Sequence, residues 1–103
     1  MASGLLGTAD LSALTNTSVY TVPSATTSSF SVNFTNRNNV PVLIRLGVCA
    51  TSTPSNAEYI IYDFTVAAGT SLERTGLVAG AAKIVVAYSN TASVSVQVYG
   101  YEV

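Results

Sequence analysis

The sequence contains no histidine, no tryptophan, one cysteine and only nine charged residues among 103. Each shortage excludes a class of chemistry. Without histidine, Cys49 lacks the partner a catalytic thiol needs, and no serine is activated by a neighbouring imidazole or by a Ser-x-x-Lys spacing. No histidine, one cysteine and no acidic calcium-loop string leave no metal site and no cofactor to expect. A lone cysteine also excludes an intrachain disulfide. Cys49 ends an apolar run and reads as a small buried hydrophobe.

Charge is equally scarce, at 9% of residues against about 25% in an average domain. The four cations, Arg37, Arg45, Arg74 and Lys83, are scattered and the net charge is −1. They form no patch for nucleic acid or for an anionic membrane. The first cation is Arg37, so no basic signal-peptide start is visible, and no apolar run approaches the ~18 residues of a membrane helix. Asn-x-Ser/Thr triplets at Asn16 and Asn33 read as chance in so Ser/Thr-rich a chain. So little charge gives weak mutual repulsion, and implies self-association or embedding in a larger assembly.

The length is that of one domain, and what fills it is Val, Ser, Thr, Ala and Tyr. Residues 1–15 show no clean period. Their leucines, Leu5, Leu6, Leu11 and Leu14, read as an extended N-terminal arm that docks on this domain or on a neighbouring subunit. From residue 16 to 103 the pattern is strands and turns. Ser18–Val22 is β-branched and aromatic, and Pro23 closes it. Phe30–Thr35 alternates strictly, with Phe30, Val32 and Phe34 inward. Val42–Cys49 and Glu58–Thr65 follow, the latter without a polar face and so expected to be covered on both sides. Ser71–Thr75 is a short strand broken by Gly76, Lys83–Ser89 is another, and a last strand starts at Val94. About seven strands with a turn every ten residues or so predict an all-β fold: a single antiparallel β-sandwich, jelly-roll-like. With only Pro23, Pro41, Pro54 and Lys83 to blunt its edge strands, such a sheet needs an edge covered by a neighbour or by the arm.

Few side chains invite chemistry. Glu58 and Asp63 lie five apart on one strand, hence on opposite faces, and cannot act as a carboxylate pair. Arg45 sits mid-strand among Leu43, Gly47 and Cys49, and needs a carboxylate partner, for which Asp63 and Glu73 are the candidates. Tyr99 and Tyr101 share a face opposite Val94, Val96 and Val98. They suit an interface, or cover by the chain's own arm.

Several stretches resemble small virion structural proteins of tailed bacteriophages, those of marine cyanophages above all. They are Asn16-Thr17-Ser18-Val19-Tyr20-Thr21-Val22-Pro23, Val32-Asn33-Phe34-Thr35-Asn36-Arg37, Ala57-Glu58-Tyr59-Ile60-Ile61-Tyr62-Asp63, Leu72-Glu73-Arg74-Thr75-Gly76 and Val96-Gln97-Val98-Tyr99-Gly100-Tyr101-Glu102. Similar proteins often carry a Val-Pro-Ala-Gly-Lys turn, where this chain reads Val22-Pro23-Ser24-Ala25-Thr26. The resemblance implies a non-enzymatic virion protein made in the host cytoplasm. Its leading role is capsid decoration or cement, self-associating (a trimer would suit local three-fold positions) and docking on the major capsid protein or another virion protein. The alternative is a tail, baseplate or fibre component that binds a host surface. Nucleic acid and membrane are not expected partners.

Overall fold

The computed structural model describes residues 2–103; Met1, the first residue of the expected arm, lies outside them. Eight strands are present among the described residues: β1 (Ser3–Leu11), β2 (Thr17–Thr21), β3 (Ser28–Asn36), β4 (Val42–Cys49), β5 (Tyr59–Val66), β6 (Ser71–Ala79), β7 (Ile84–Ser89) and β8 (Val94–Glu102), with one short 3-10 turn, Asn56–Glu58. They form two four-stranded antiparallel sheets, sheet I in the order β1-β8-β3-β6 and sheet II in the order β2-β7-β4-β5. β1 pairs β8, β2 pairs β7, β3 pairs β6 and β4 pairs β5. The chain is therefore one long hairpin, turning between β4 and β5, rolled into a sandwich. That is the jelly-roll arrangement.

Alternation builds the core. Phe30, Val32 and Phe34 of β3 and Val94, Val96 and Val98 of β8 face Ile44 and Leu46 of β4 and Val85 and Ala87 of β7, all buried. Each of the Val, Ile, Leu and Phe side chains contributes roughly 1.5–3 kcal/mol by leaving water. The sequence-predicted faces of β3 and β8 agree with this burial.

The N-terminal segment departs from expectation. It is a sheet strand and not an arm, because β1 pairs with β8 along its length from Ser3 to Leu11. A bulge between Leu5 and Gly7 inserts Leu6, after which Gly7, Ala9 and Leu11 lie opposite Val98, Val96 and Val94 in the inward row. Gly7 is required by close approach, since a Cβ there would lie 2.4 Å from the Val19 carbonyl oxygen on β2. The sandwich is thus closed on its β1/β2 side.

β6 also runs longer than predicted. Gly76 takes a left-handed φ of 74° at a bulge opposite Phe30 and Val32, so the strand bends there and continues to Ala79. β5 is not covered on both sides: it is the outermost strand of sheet II, and its Tyr62 and Phe64 are exposed.

Two local devices finish the fold. The loop after β4 folds back on the outer face of sheet II, where Glu58 accepts the Ala50 and Ser55 amide protons at 3.0 and 2.9 Å. Beneath it lie Gly47, Cys49 and Val86, all buried; a Cβ on Gly47 would meet the Glu58 carbonyl at 3.1 Å. At the end of β3, buried Asn36 completes the strand. Its amide donates to the carbonyls of Val40 and Val66 at 2.8 and 3.1 Å and its Oδ1 accepts from the Asn38 amide at 2.9 Å. A buried amide so fully engaged ties sheet I to the end of β5 in sheet II.

Candidate interaction surfaces

The most organised polar cluster lies on the outer face of sheet II. Arg45 on β4 is opposite Tyr88 on β7, so both point outward. β5 carries two bulges against β4, and at the first Asp63 adopts φ 51°. Aspartate tolerates this left-handed conformation better than most residues. The Asp63 carboxylate accepts from Arg45 Nε at 2.6 Å and from Nη2 at 3.3 Å. The guanidinium carbon lies 4.3 Å from the Tyr62 ring centre and 4.5 Å from that of Tyr88, and Tyr59 meets Tyr62 edge-on at 5.0 Å. Asp63, through this two-pronged contact, pushes the Arg45 pKa further upward. The cluster is an aromatic and charged platform on the outer face of sheet II. Of the two expected carboxylate partners for Arg45, Asp63 serves; Glu73 is on β6 in the other sheet and does not.

The opposite side of the sandwich from β1/β2 is open. β5 and β6 are the outer strands of their sheets and lie on the same side. Between them is a cleft of about 310 Å³ lined by Ile60, Ile61, Tyr62, Phe64, Leu72, Glu73 and Arg74. Leu72 and Arg74 lie opposite Phe34 and Val32 of β3, so they form the inward row of β6, while Glu73 opposite Asn33 is outward. Arg37 pairs with Asp10 and Arg45 with Asp63; among the described residues Arg74 and Glu73 have no ion-pair partner. Tyr62 and Phe64 are 59% and 51% exposed, unusual for rings this large.

The residues expected at an interface separate. Leu11 is 2% exposed and belongs to the core, and Leu6 packs against that core. Leu14 is exposed after β1, with φ 58°. Leu5 and Tyr99 are register partners on the outer face of sheet I, followed along β8 by Tyr101. β1 lies beside these tyrosines and does not cover them: Tyr101 is exposed and Tyr99 half-buried. Val78, opposite Ser29 in the same sheet, extends this exposed apolar face. Sequence reasoning missed Ile60, Tyr62, Phe64, Val78 and Arg74. The signal available was two successive aromatic and apolar strands, joined by a short turn, without a lysine or proline between Glu58 and Ala79.

At the far end of β8, Glu102 accepts from the Tyr20 hydroxyl and from the Ala2 amide. These bonds hold its carboxyl below the usual range, and burial, aided by Glu102, raises the Tyr20 hydroxyl. Burial likewise raises the Cys49 thiol. Among the described residues no three of His, Cys, Asp and Glu gather where they could share a metal ion. Compared with known proteins, the chain matches no family model, no curated protein and no solved structure.

Proposed function

We propose that this chain is a non-enzymatic structural protein of a tailed-phage virion: a decoration or cement module that self-associates and docks on the capsid. The observation that carries the reading is the open β5/β6 side, where two sheet edges and exposed Tyr62 and Phe64 lie around one apolar cleft. Exposed apolar patches rimmed by polar groups mark contact sites, and the scarcity of charge favours association over repulsion. The outer face of sheet I, with Leu5, Tyr99, Tyr101 and Val78, offers a second apolar surface for a neighbouring copy. The jelly-roll order adds support by analogy, since capsid proteins use it; lectins use it as well.

A tail or fibre role is the second reading, favoured by the Tyr62–Arg45–Tyr88 platform. Exposed rings beside fixed hydrogen-bonding groups suit a surface polymer. Gold labelling of an epitope-tagged copy on intact virions, viewed by electron microscopy, separates the two. Label over the head is expected; label at the tail tip would move the protein to attachment, and virions without label would refute both.

A further inference from the structure

The two edges beside the cleft are not equivalent. β5 is interrupted by two bulges and by the left-handed Asp63, and such irregularity blocks strand addition. β6 is regular against β3 from Ser71 to Arg74, and its bulge falls later, at Thr75 and Gly76. A four-residue stretch of β6 is therefore free to pair. A strand added there would extend sheet I and hang its inward side chains over the cleft, against Ile61 and Phe64, the inward residues of β5 that line it.

The side chains of β6 specify what that strand must carry. Leu72 and Arg74 face inward and Glu73 outward. In an antiparallel pair, opposed residues share a face, and opposite charges there are favourable. Arg74 calls for an acidic residue, Glu73 for a basic one and Leu72 for an apolar one. Read from N- to C-terminus on the incoming strand, the order is acidic, basic, apolar. A second copy of β6 does not meet this need. Glu73 and Arg74 lie on opposite faces, so no antiparallel self-register brings one against the other, and registers centred on either residue oppose like charges. Nor does this chain contain an acidic-basic-apolar triplet anywhere.

We infer that the free edge of β6 at residues 71–74 is a docking site for an extended segment of a different protein, bearing an acidic-basic-apolar triplet and adding as an antiparallel strand over the β5/β6 cleft. This deepens the assembly reading and rests on it for the identity of the partner as a virion protein. The contact is short, so each site is weak, and many copies on one particle would supply avidity.

The test uses the full chain, labelled with ¹⁵N, and two capped pentapeptides: Thr-Glu-Lys-Leu-Thr and its charge-swapped form Thr-Lys-Glu-Leu-Thr. The first is expected to shift the amide signals of residues 71–74 and of the β5 cleft residues at millimolar concentration, binding at least about tenfold more tightly than the second, a difference of about 1.4 kcal/mol. The double substitution Glu73→Lys with Arg74→Glu is expected to reverse that preference, with signals on β1, β2 and β7 unchanged. Equal binding of both peptides, shifts confined to other strands, or no shift at all would overturn the inference. So would dimerisation of the free protein that Arg74→Glu abolishes, since that would put a second copy in the cleft. Virion labelling fails independently: peptide binding without incorporation refutes the virion role, and incorporation without peptide binding refutes the β6 site.

Discussion

Leu11 and Leu14 are three residues apart, and an arm would present both to the same partner. The structure gives them different fates. Leu11 is 2% exposed, opposite Val94 at the end of β1, whereas Leu14 is 70% exposed. Truncating Leu11 to alanine removes buried methyl groups from between two sheets that cannot both close on the gap. Buried Leu→Ala changes cost 2–5 kcal/mol. Leu11 lies at a strand end, where relaxation is easier than mid-sheet, so about 3 kcal/mol is expected. In a domain of this size each kcal/mol moves the melting temperature by about 4–8 °C, giving a drop of roughly 12–24 °C. Leu14→Ala is expected to stay within about 0.5 kcal/mol of the parent, as exposed substitutions do. Thermal unfolding followed by circular dichroism, with urea titration for the free energy, measures both. Equal, small effects for the two variants would refute β1 as a strand of the sandwich and restore the arm. By the same reasoning, deleting residues 1–14 is expected to unfold the domain, not merely to abolish its docking.

Other expectations follow from single contacts. Gly100→Ala places a Cβ 2.0 Å from the Ser29 carbonyl oxygen and 2.6 Å from the Phe30 Cα. Neither backbone atom can swing aside, so a loss of at least about 2–3 kcal/mol is expected, while Gly80→Ala, which meets nothing, serves as a near-neutral control in the same urea titration. Asp63→Asn retains a residue suited to the left-handed conformation and loses only a part-exposed ion pair, at a cost of up to about 1 kcal/mol; Asp63→Ala is expected to cost about 1 kcal/mol more, and equal melting temperatures for the two would contradict the backbone argument. Because the carboxyls of Glu102 and Glu58 titrate lower in the folded state than in the unfolded chain, their stabilisation is present above the ordinary carboxylate value of about 4.3. It is lost as pH falls through their lower folded values. Glu102→Gln should flatten the acid limb of a urea-midpoint profile below about pH 5; an unchanged limb would show that Glu102 is not engaged by Tyr20 and Ala2.

Strict alternation made β3, β4 and β8 legible, because each carries an inward row of Val, Phe, Ile or Leu. β1 was illegible for a definite reason. Its bulge places Leu5 outward and Leu6 in the extra position, and its inward row then reads Gly7, Ala9, Leu11, too small in side chain to announce a buried face. A bulge hid the second half of β6 in the same way, since Gly76 read as a break when it is a bend. For Arg45 the sequence narrowed the partner to two carboxylates, and only the division of strands between sheets could choose Asp63. The cleft was out of reach altogether. It depends on β5 and β6 being outermost and on the same side, which is a property of strand order and not of local pattern.

Nested pairing also orders the events of folding. The hairpin β4–β5 joins neighbours in the chain, whereas β1 must find β8 across nearly its whole length. Closing the longer loop first would cost more chain entropy, so pairing is expected to proceed outward from β4–β5 through β3–β6 and β2–β7. During synthesis β1 emerges before the other seven strands of the sandwich and is the last of them to be placed. Residues 3–11 wait unpaired until residues 94–102 exist, and for that interval both edges of the growing sheet I are open to whatever strand is nearby.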